Sequence, residues 1–413
     1  MSILLKTYKV VAVLPRYSEE IIGGAERLAR DLLLLLPKHW DIKILTTCAK
    51  DYISWKNEYD QGISKDHNLE VHRFPVVRKR NIKKFNKISV KLFNIFPNQT
   101  YENEMNWIIE QGPYSPKLIE AIKDLEPETD VFLFSSYLYY PLVLGIPYAK
   151  DKVICLPMLH DEPPAFLKIY KNVMLPGNFY VFNSPEEKEL FSRIFGFDPK
   201  NSATIGTVID VPMQSKFPSE IFETKLDEES ESRFKRLFKE NYIFAIGRMD
   251  LGKGYPDLIS HFNHWIENSE HKMKLIIAGS NPPEAIHQFS SDSIEFIGFV
   301  TEKEKNELMR NAKVLINPSQ LESFSIVVME AWAQSTPILV NGLSAVLVGH
   351  CRRSNGGLWY KDERSFCDAL DYLLDNQDIA TQMGIKGREY VEANFNSTTI
   401  QSKFLNLLGE FFQ

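Results

Sequence analysis

At 413 residues, 44% hydrophobic and 25% charged, the chain has the makeup of a soluble globular protein with room for two domains of ordinary size. A net charge of -6 gives no argument for nucleic acid, and four scattered cysteines without a C-x-x-C indicate neither a disulfide framework nor zinc. A reducing cytoplasm is the natural compartment. The opening MSILLKTYKV has too short an apolar run for a signal peptide, and nowhere do about 18 apolar residues follow one another, so no spanning helix is expected.

Val10 to Leu14 is a short continuous apolar run, the mark of a buried parallel strand. It leads through Pro15-Arg16 and a polar loop to Gly23-Gly24-Ala25-Glu26 and then a helix through Leu36. Strand, glycine loop and helix together make an arrangement that can cradle phosphate, although two glycines before a helix also occur in ordinary turns. Further strand-like runs follow at Ile42–Thr46, Leu69–Phe74, Val131–Phe134, Val153–Leu156 and Tyr180–Asn183. Helical segments lie between several of them, which is a doubly wound α/β pattern.

Residues 78–96 stand apart. Seven Lys or Arg occur between Arg78 and Lys91 without one acid, and Ile82, Phe85, Ile88, Leu92, Phe93 and Phe96 recur at helical spacing. Such a basic amphipathic helix can lie on an anionic membrane surface, pack on its own domain, or face an anionic acceptor. His160-Asp161 closes the run from Val153, at the end of a strand where open α/β sheets bind ligands. Ser184 reads as an N-cap.

The acidic, Pro-bearing stretch Val211 to Glu229 is the best linker candidate. A second strand series begins at Tyr242–Gly247 and continues with Leu275–Ala278, Ile294–Ile297, Val314–Ile316 and Ile338–Val340. Thr301-x-x-Glu304 opens one intervening helix with a capping box. Two Rossmann-like halves joined at the linker would enclose a cleft, a favoured place for a ligand.

The stretch Asn317 to Pro337 organises the second half. It leaves a strand, breaks at Pro318, and becomes an apolar helix that carries Glu330 among Ile326, Val327, Val328, Met329 and Trp332. Burying an ionised carboxylate is costly without a partner, so Glu330 is either a core glutamate held by a Lys or Arg, or a ligand-binding group. A helix starting near Ser323 would offer free N–H groups and a positive dipole end to phosphate. Glu322 lies just before that anion site, and Glu330 about 12 Å further along at about 1.5 Å per residue. Carboxylates can accept both protons of a vicinal diol, so the pair suits the sugar and ribose ends of a nucleotide-sugar, with the diphosphate between.

Glu322-x7-Glu330, framed by Asn317-Pro318-Ser319, Ala331 and Pro337, resembles the E-x7-E signature of family 4 retaining glycosyltransferases, which have the two-domain GT-B fold. Gly247-Arg248-x4-Lys253-Gly254 resembles the same family's diphosphate-gripping element, and Gly23-Gly24-x-Glu26 its N-terminal loop. Ser325 stands where the family usually has Gly, and Gly206-Thr207-Val208-Ile209-Asp210 replaces the usual N-G-V-D phrase.

The resemblance implies an α/β fold of two Rossmann-like domains facing across a cleft. Residues 1–210 would receive the acceptor, 211–395 would bind the nucleotide-sugar, and a C-terminal helix, 396–413, would cross back to the first domain. It implies hexose transfer with retention, from a nucleoside-diphosphate sugar to a sugar or lipid-linked glycan in surface polysaccharide or glycoconjugate synthesis, with UDP the default nucleotide. Glu322, His160, Arg248 and Lys253 would serve the chemistry. Gly23, Gly24, Ser323, Phe324, Ser325, Ile326 and Glu330 would join Arg248 and Lys253 in holding the donor. No D-x-D occurs in the sequence, so no metal and no cofactor are expected, and Arg248 and Lys253 take the cation's role. The location would be cytoplasmic, peripheral at the inner face of the membrane if 78–96 docks there. The rival reading is a non-catalytic nucleotide-sugar-binding or scaffold protein of the same fold.

Overall fold

The computed structural model describes residues 3–21, 23–212, 236, 237, 239–249, 251–280, 286 and 291–413, so the linker candidate lies outside the described residues from 213 onward. The chain divides into two compact units, Met1–Val208 with Ser397–Gln413, and Ile209–Asn396.

The first unit is built on an eight-stranded sheet. Its strands are β1 (Lys9–Val13), β2 (Asp41–Thr47), β3 (Gly62–Asp66), β4 (Leu69–Phe74), β5 (Val131–Ser135), β6 (Val153–Leu156), β7 (Phe179–Phe182) and β8 (Ser202–Thr204). They lie in the order β3-β4-β2-β1-β5-β6-β7-β8, parallel except for β3, which pairs antiparallel with β4 at the edge. The helices are α1 (Gly24–Leu34), α2 (Ile82–Asn94), α3 (Tyr101–Gln111), α4 (Pro116–Leu125), α5 (Tyr140–Ala149) and α6 (Pro185–Phe195). Strands β1 and β5 are almost wholly buried, as continuous apolar runs in a sheet covered on both faces must be. The hairpin strand β3 is not legible in the sequence because Gly62 to Lys65 is exposed and the strand carries no apolar alternation.

Helix α2 gives its apolar stripe to the unit's own core. Phe85 and Phe93 pack on Trp107 of α3 at ring distances of 5.6 and 5.9 Å, and Trp107 donates to Ser89 Oγ at 2.9 Å. Arg80 is sandwiched between Trp55 and Phe85, while Arg78 and Lys84 both pair with the buried Glu110. Lys79, Lys83, Lys87 and Lys91 are left on the exposed face, alongside Val90.

The second unit has a six-stranded, all-parallel sheet. Its strands are β9 (Tyr242–Gly247), β10 (Lys274–Gly279), β11 (Ile294–Gly298), β12 (Leu315–Asn317), β13 (Ile338–Asn341) and β14 (Gly357–Tyr360). The described helices are α7 (Tyr255–Asn268), α8 (Glu302–Asn311), α9 (Ile326–Ala333), α10 (Ala345–Ser354), α11 (Glu363–Asp375) and α12 (Gln377–Asn394). The expected capping box at the start of α8 is present, with Glu304 N donating to Thr301 Oγ1 and Thr301 N to Glu304 Oε2. The strand order is β11-β10-β9-β12-β13-β14. Counted within the unit it runs third, second, first, fourth, fifth, sixth, the Rossmann order, whose direction of winding reverses between β9 and β12. Ligands of open α/β sheets settle at the carboxyl ends of the strands flanking that reversal.

The last helix, α13 (Ser397–Phe411), belongs to the first unit. Phe411 packs on Phe179, Phe412 stacks on Tyr8 at 3.8 Å, and Gln401 donates to Leu35 O. No helix among the described residues is long and apolar enough to cross a membrane.

Candidate active site

The two strands at the reversal carry the two motifs. After β9 come Arg248 and a short 3-10 turn, Leu251–Lys253, with Gly254 capping α7. After β12 comes the turn from Pro318 to Ser325 that leads into α9. The two loops are locked together at one close approach. Gly254 has φ +76, and a β-carbon there would stand 2.2 Å from the Pro318 carbonyl oxygen, so only glycine fits. Asn341, at the end of β13, donates to the same oxygen at 3.0 Å.

This approach puts the Lys253 ammonium in the turn, 3.0 Å from Glu322 Oε1 and 3.3 Å from both Ser319 Oγ and Leu321 O. Both side chains of the ion pair are largely covered, 25% and 16% exposed. The contact joins residues 69 positions apart in sequence. Arg248 extends from the end of β9 with an exposed side chain.

The helix does not begin near Ser323, as the sequence suggested. Ser325 sits in the left-handed region at φ 73, ψ 82, which no helical residue can adopt, so α9 starts at Ile326. The N–H groups at the helix's positive end are therefore those of Ile326, Val327 and Val328 rather than those of Ser323 to Ser325. The left-handed conformation costs an L-residue about 1–2 kcal/mol. Here it is offset by a buried hydrogen bond from Asn317 Nδ2 to Ser325 Oγ at 2.8 Å, while Asn317 Oδ1 accepts from Ser319 N at 2.9 Å. Asn317 thus ties the end of β12 to both ends of the turn. Phe324 is buried edge-on against His350 and Phe395. Burial and the nearby Arg353 push the His350 imidazole down to about 3.

Glu330 lies in the apolar helix α9 and does have a cationic partner, Lys305 of α8, at 2.8 Å. Sequence reasoning missed Lys305. Its one local signal is the i,i+3 spacing from Glu302, common on solvent-exposed helices.

On the first unit, Gly23 and Gly24 sit where β1 enters α1, and β1 and β5 flank the corresponding reversal of that sheet. Glu26, in the first turn of α1, is held by Arg16 at 2.6 Å, and Arg16 also donates to Lys50 O. His160 follows β6, with Nδ1 3.5 Å from Glu162 Oε1, and the buried Tyr137 hydroxyl donates to the same oxygen at 2.7 Å. The loop is anchored one residue earlier, where Leu159 N donates to the fully buried Glu187, which also accepts from Asn183 N. Burial pushes the Glu187 carboxyl up to about 8, against the pull of those N–H groups. Ser184 caps α6 as expected, accepting from Glu187 N at 3.2 Å.

Among the described residues, Glu19, Asp66 and His67 form the one group with metal-ligand proximity. Asp66 there is already engaged by Arg30 at 2.9 Å and by the Tyr17 hydroxyl.

Residues 227–390, all within the second unit, match the family described as Glycosyl transferases group 1. An uncharacterized glycosyltransferase of Methanocaldococcus jannaschii is 30% identical over 185 residues, 42% of this chain and 45% of that protein. The capsular polysaccharide biosynthesis glycosyltransferase CapM of Staphylococcus aureus is 23% identical over 195 residues, 44% of this chain and 50% of its own length. The chain thus spans about half the length of these curated relatives. The crystal structure of Anabaena HepE in complex with UDP and glucose superposes with a TM-score of 0.67 at 13% identity, covering 98% of this chain and 100% of that one. The fold is GT-B. It is shared with glycosyltransferase structures over nearly the whole chain, whereas the family match is confined to the unit that carries Arg248, Lys253, Glu322 and Glu330.

Proposed function

We propose that the protein is a retaining, metal-independent glycosyltransferase that moves a hexose from a nucleoside-diphosphate sugar, UDP-linked by preference, to a sugar or lipid-linked glycan. The observation that carries this reading is the Lys253–Glu322 contact at the point where the second sheet reverses direction. It brings a phosphate-type cation and a sugar-type carboxylate together beside the positive end of α9.

In this reading the diphosphate is held by Arg248, Lys253 and the N–H groups of Ile326 to Val328. The charge growing on the departing nucleotide is stabilised there as the glycosidic bond breaks. Glu322 orients the donor sugar, and Glu330 accepts the ribose diol. Ser323, Phe324 and Ser325 shape the turn between them. A nucleoside diphosphate leaves without protonation, so the acid required by a retaining glycosidase is dispensable. Attack comes from the same face as departure, with a phosphate oxygen taking the acceptor's proton. On the first unit, His160 is assigned to the donor hexose and the Gly23-Gly24 loop to the phosphate and acceptor.

UDP is favoured because HepE was solved with UDP and glucose, and a role in surface polysaccharide synthesis is supported by the name of the CapM relative. Cytoplasmic location with peripheral contact to anionic lipid completes the reading. The contact surface is the exposed lysine face of α2, since its apolar stripe is occupied by α3.

The test is release of free nucleoside diphosphate from UDP-, GDP- and ADP-sugars with candidate glycan acceptors, in EDTA, with the product's anomeric configuration read by NMR. Glu322→Gln should lower turnover, and Glu330→Gln should mainly weaken donor binding. Tight donor binding without nucleotide release under any condition would point to the non-catalytic reading. An inverted product would remove retention.

A further inference from the structure

We infer that Lys305 is a positioning residue for Glu330, holding that carboxylate in a fixed rotamer for the nucleotide; this rests on the assignment of Glu330 to the ribose. Lys305 lies one turn into α8, where the capping box fixes the helix start, and it reaches across to α9. Its side chain is only 10% exposed and that of Glu330 only 9%.

A buried Lys–Glu pair is a poor way to stabilise a core, since an apolar pair of similar volume does as well or better. The second partner of Lys305, Glu302 at 2.7 Å, is 74% exposed and contributes little to keeping an ammonium out of water. The ammonium is therefore held in place mainly by Glu330, in a helix otherwise made of Ile, Val, Met, Ala and Trp. Such an arrangement suits a carboxylate that must stay aimed in a covered site. Lys305 contacts Oε2, and an ionised carboxylate has about four lone-pair directions, enough for the ammonium and a vicinal diol together.

Four proteins decide the matter: K305M, K305R, E330Q and K305M/E330Q, each read by UDP affinity, inorganic pyrophosphate affinity, donor KM and kcat. K305M should weaken UDP and raise donor KM by about tenfold to a hundredfold, as misoriented ligand groups do, with kcat within about threefold. Pyrophosphate, which has no ribose, should bind K305M as it binds the wild type. K305R should recover most of the affinity, and K305M/E330Q should bind UDP no worse than E330Q alone. The double variant leaves no unpaired buried charge, so it reports even if K305M folds poorly. If E330Q weakens UDP but K305M does not, or if K305M loses pyrophosphate equally or loses kcat instead, this inference is overturned. If E330Q itself binds UDP normally, the ribose assignment of Glu330 is what fails.

Discussion

Replacing Gly254 by alanine tests whether the loops after β9 and β12 form one unit. The added methyl would lie 2.2 Å from the Pro318 oxygen and 3.0 Å from its carbonyl carbon, both backbone atoms, so the two loops must separate by about 1 Å to restore contact distance. The backbone cannot relax freely, because φ +76 is itself unfavourable for alanine by about 1–2 kcal/mol. Overpacking adds about 1–3 kcal/mol. The sum is about 2–5 kcal/mol, which for a unit of this size lowers Tm by about 5–15 °C. The displaced turn also carries Ser319, Leu321 and Glu322 away from the Lys253 ammonium, whose contacts are 3.0 to 3.3 Å. A shift of about 1 Å at a reacting group costs about a hundredfold in rate, so donor turnover should fall by that order while circular dichroism stays native-like. Gly409→Ala, where nothing lies within 4 Å of the new methyl in α13, is the control and should leave Tm unchanged or raise it slightly. A G254A protein that keeps its Tm within about 2 °C and its kcat/KM within about threefold would refute the claim that this glycine sets the geometry of the site.

At Ser325, alanine keeps the left-handed strain and strands the buried Asn317 amide, whereas glycine strands the amide but relieves the strain; S325G should therefore be about 1–2 kcal/mol more stable than S325A in denaturant unfolding, and the reverse order would refute the account. His350, held down to about 3, stays neutral in the folded protein while the unfolded chain takes up a proton near 6.5, so stability should decline as pH falls from 6.5 toward 3, and H350F should flatten that limb of a Tm–pH curve. Glu187 works in the opposite sense: its pKa is raised to about 8, so its stabilising contribution is present below 4.5 and is lost as pH rises through 8; E187Q should flatten the alkaline side. Reversing Lys83, Lys87 and Lys91 to glutamate should reduce co-sedimentation with vesicles containing phosphatidylglycerol by at least about a hundredfold, from about 1 kcal/mol per lysine, and leave donor binding intact; equal binding of both proteins to those anionic vesicles would exclude the lysine face.

The periodic signals in the chain specified the fold. Continuous apolar runs such as Val10 to Leu14 and Tyr242 to Gly247 can be satisfied only as strands covered on both faces, and alternating them with helices leaves few topologies other than doubly wound ones. Spacing also marked Glu322 and Glu330, and the resemblance added Arg248 and Lys253, because helix starts and glycine turns are local. What stayed hidden was set by contacts distant in sequence. The left-handed Ser325 depends on Asn317, the partner of Glu330 is a lysine on another helix, and the apolar stripe of α2 is claimed by Trp107. The strand order, too, was decided in three dimensions: only when β12 pairs beside β9 do Lys253 and Glu322 meet. Local sequence fixes conformation through nearest-neighbour sterics, whereas partner choice depends on which surfaces the folded sheet brings together.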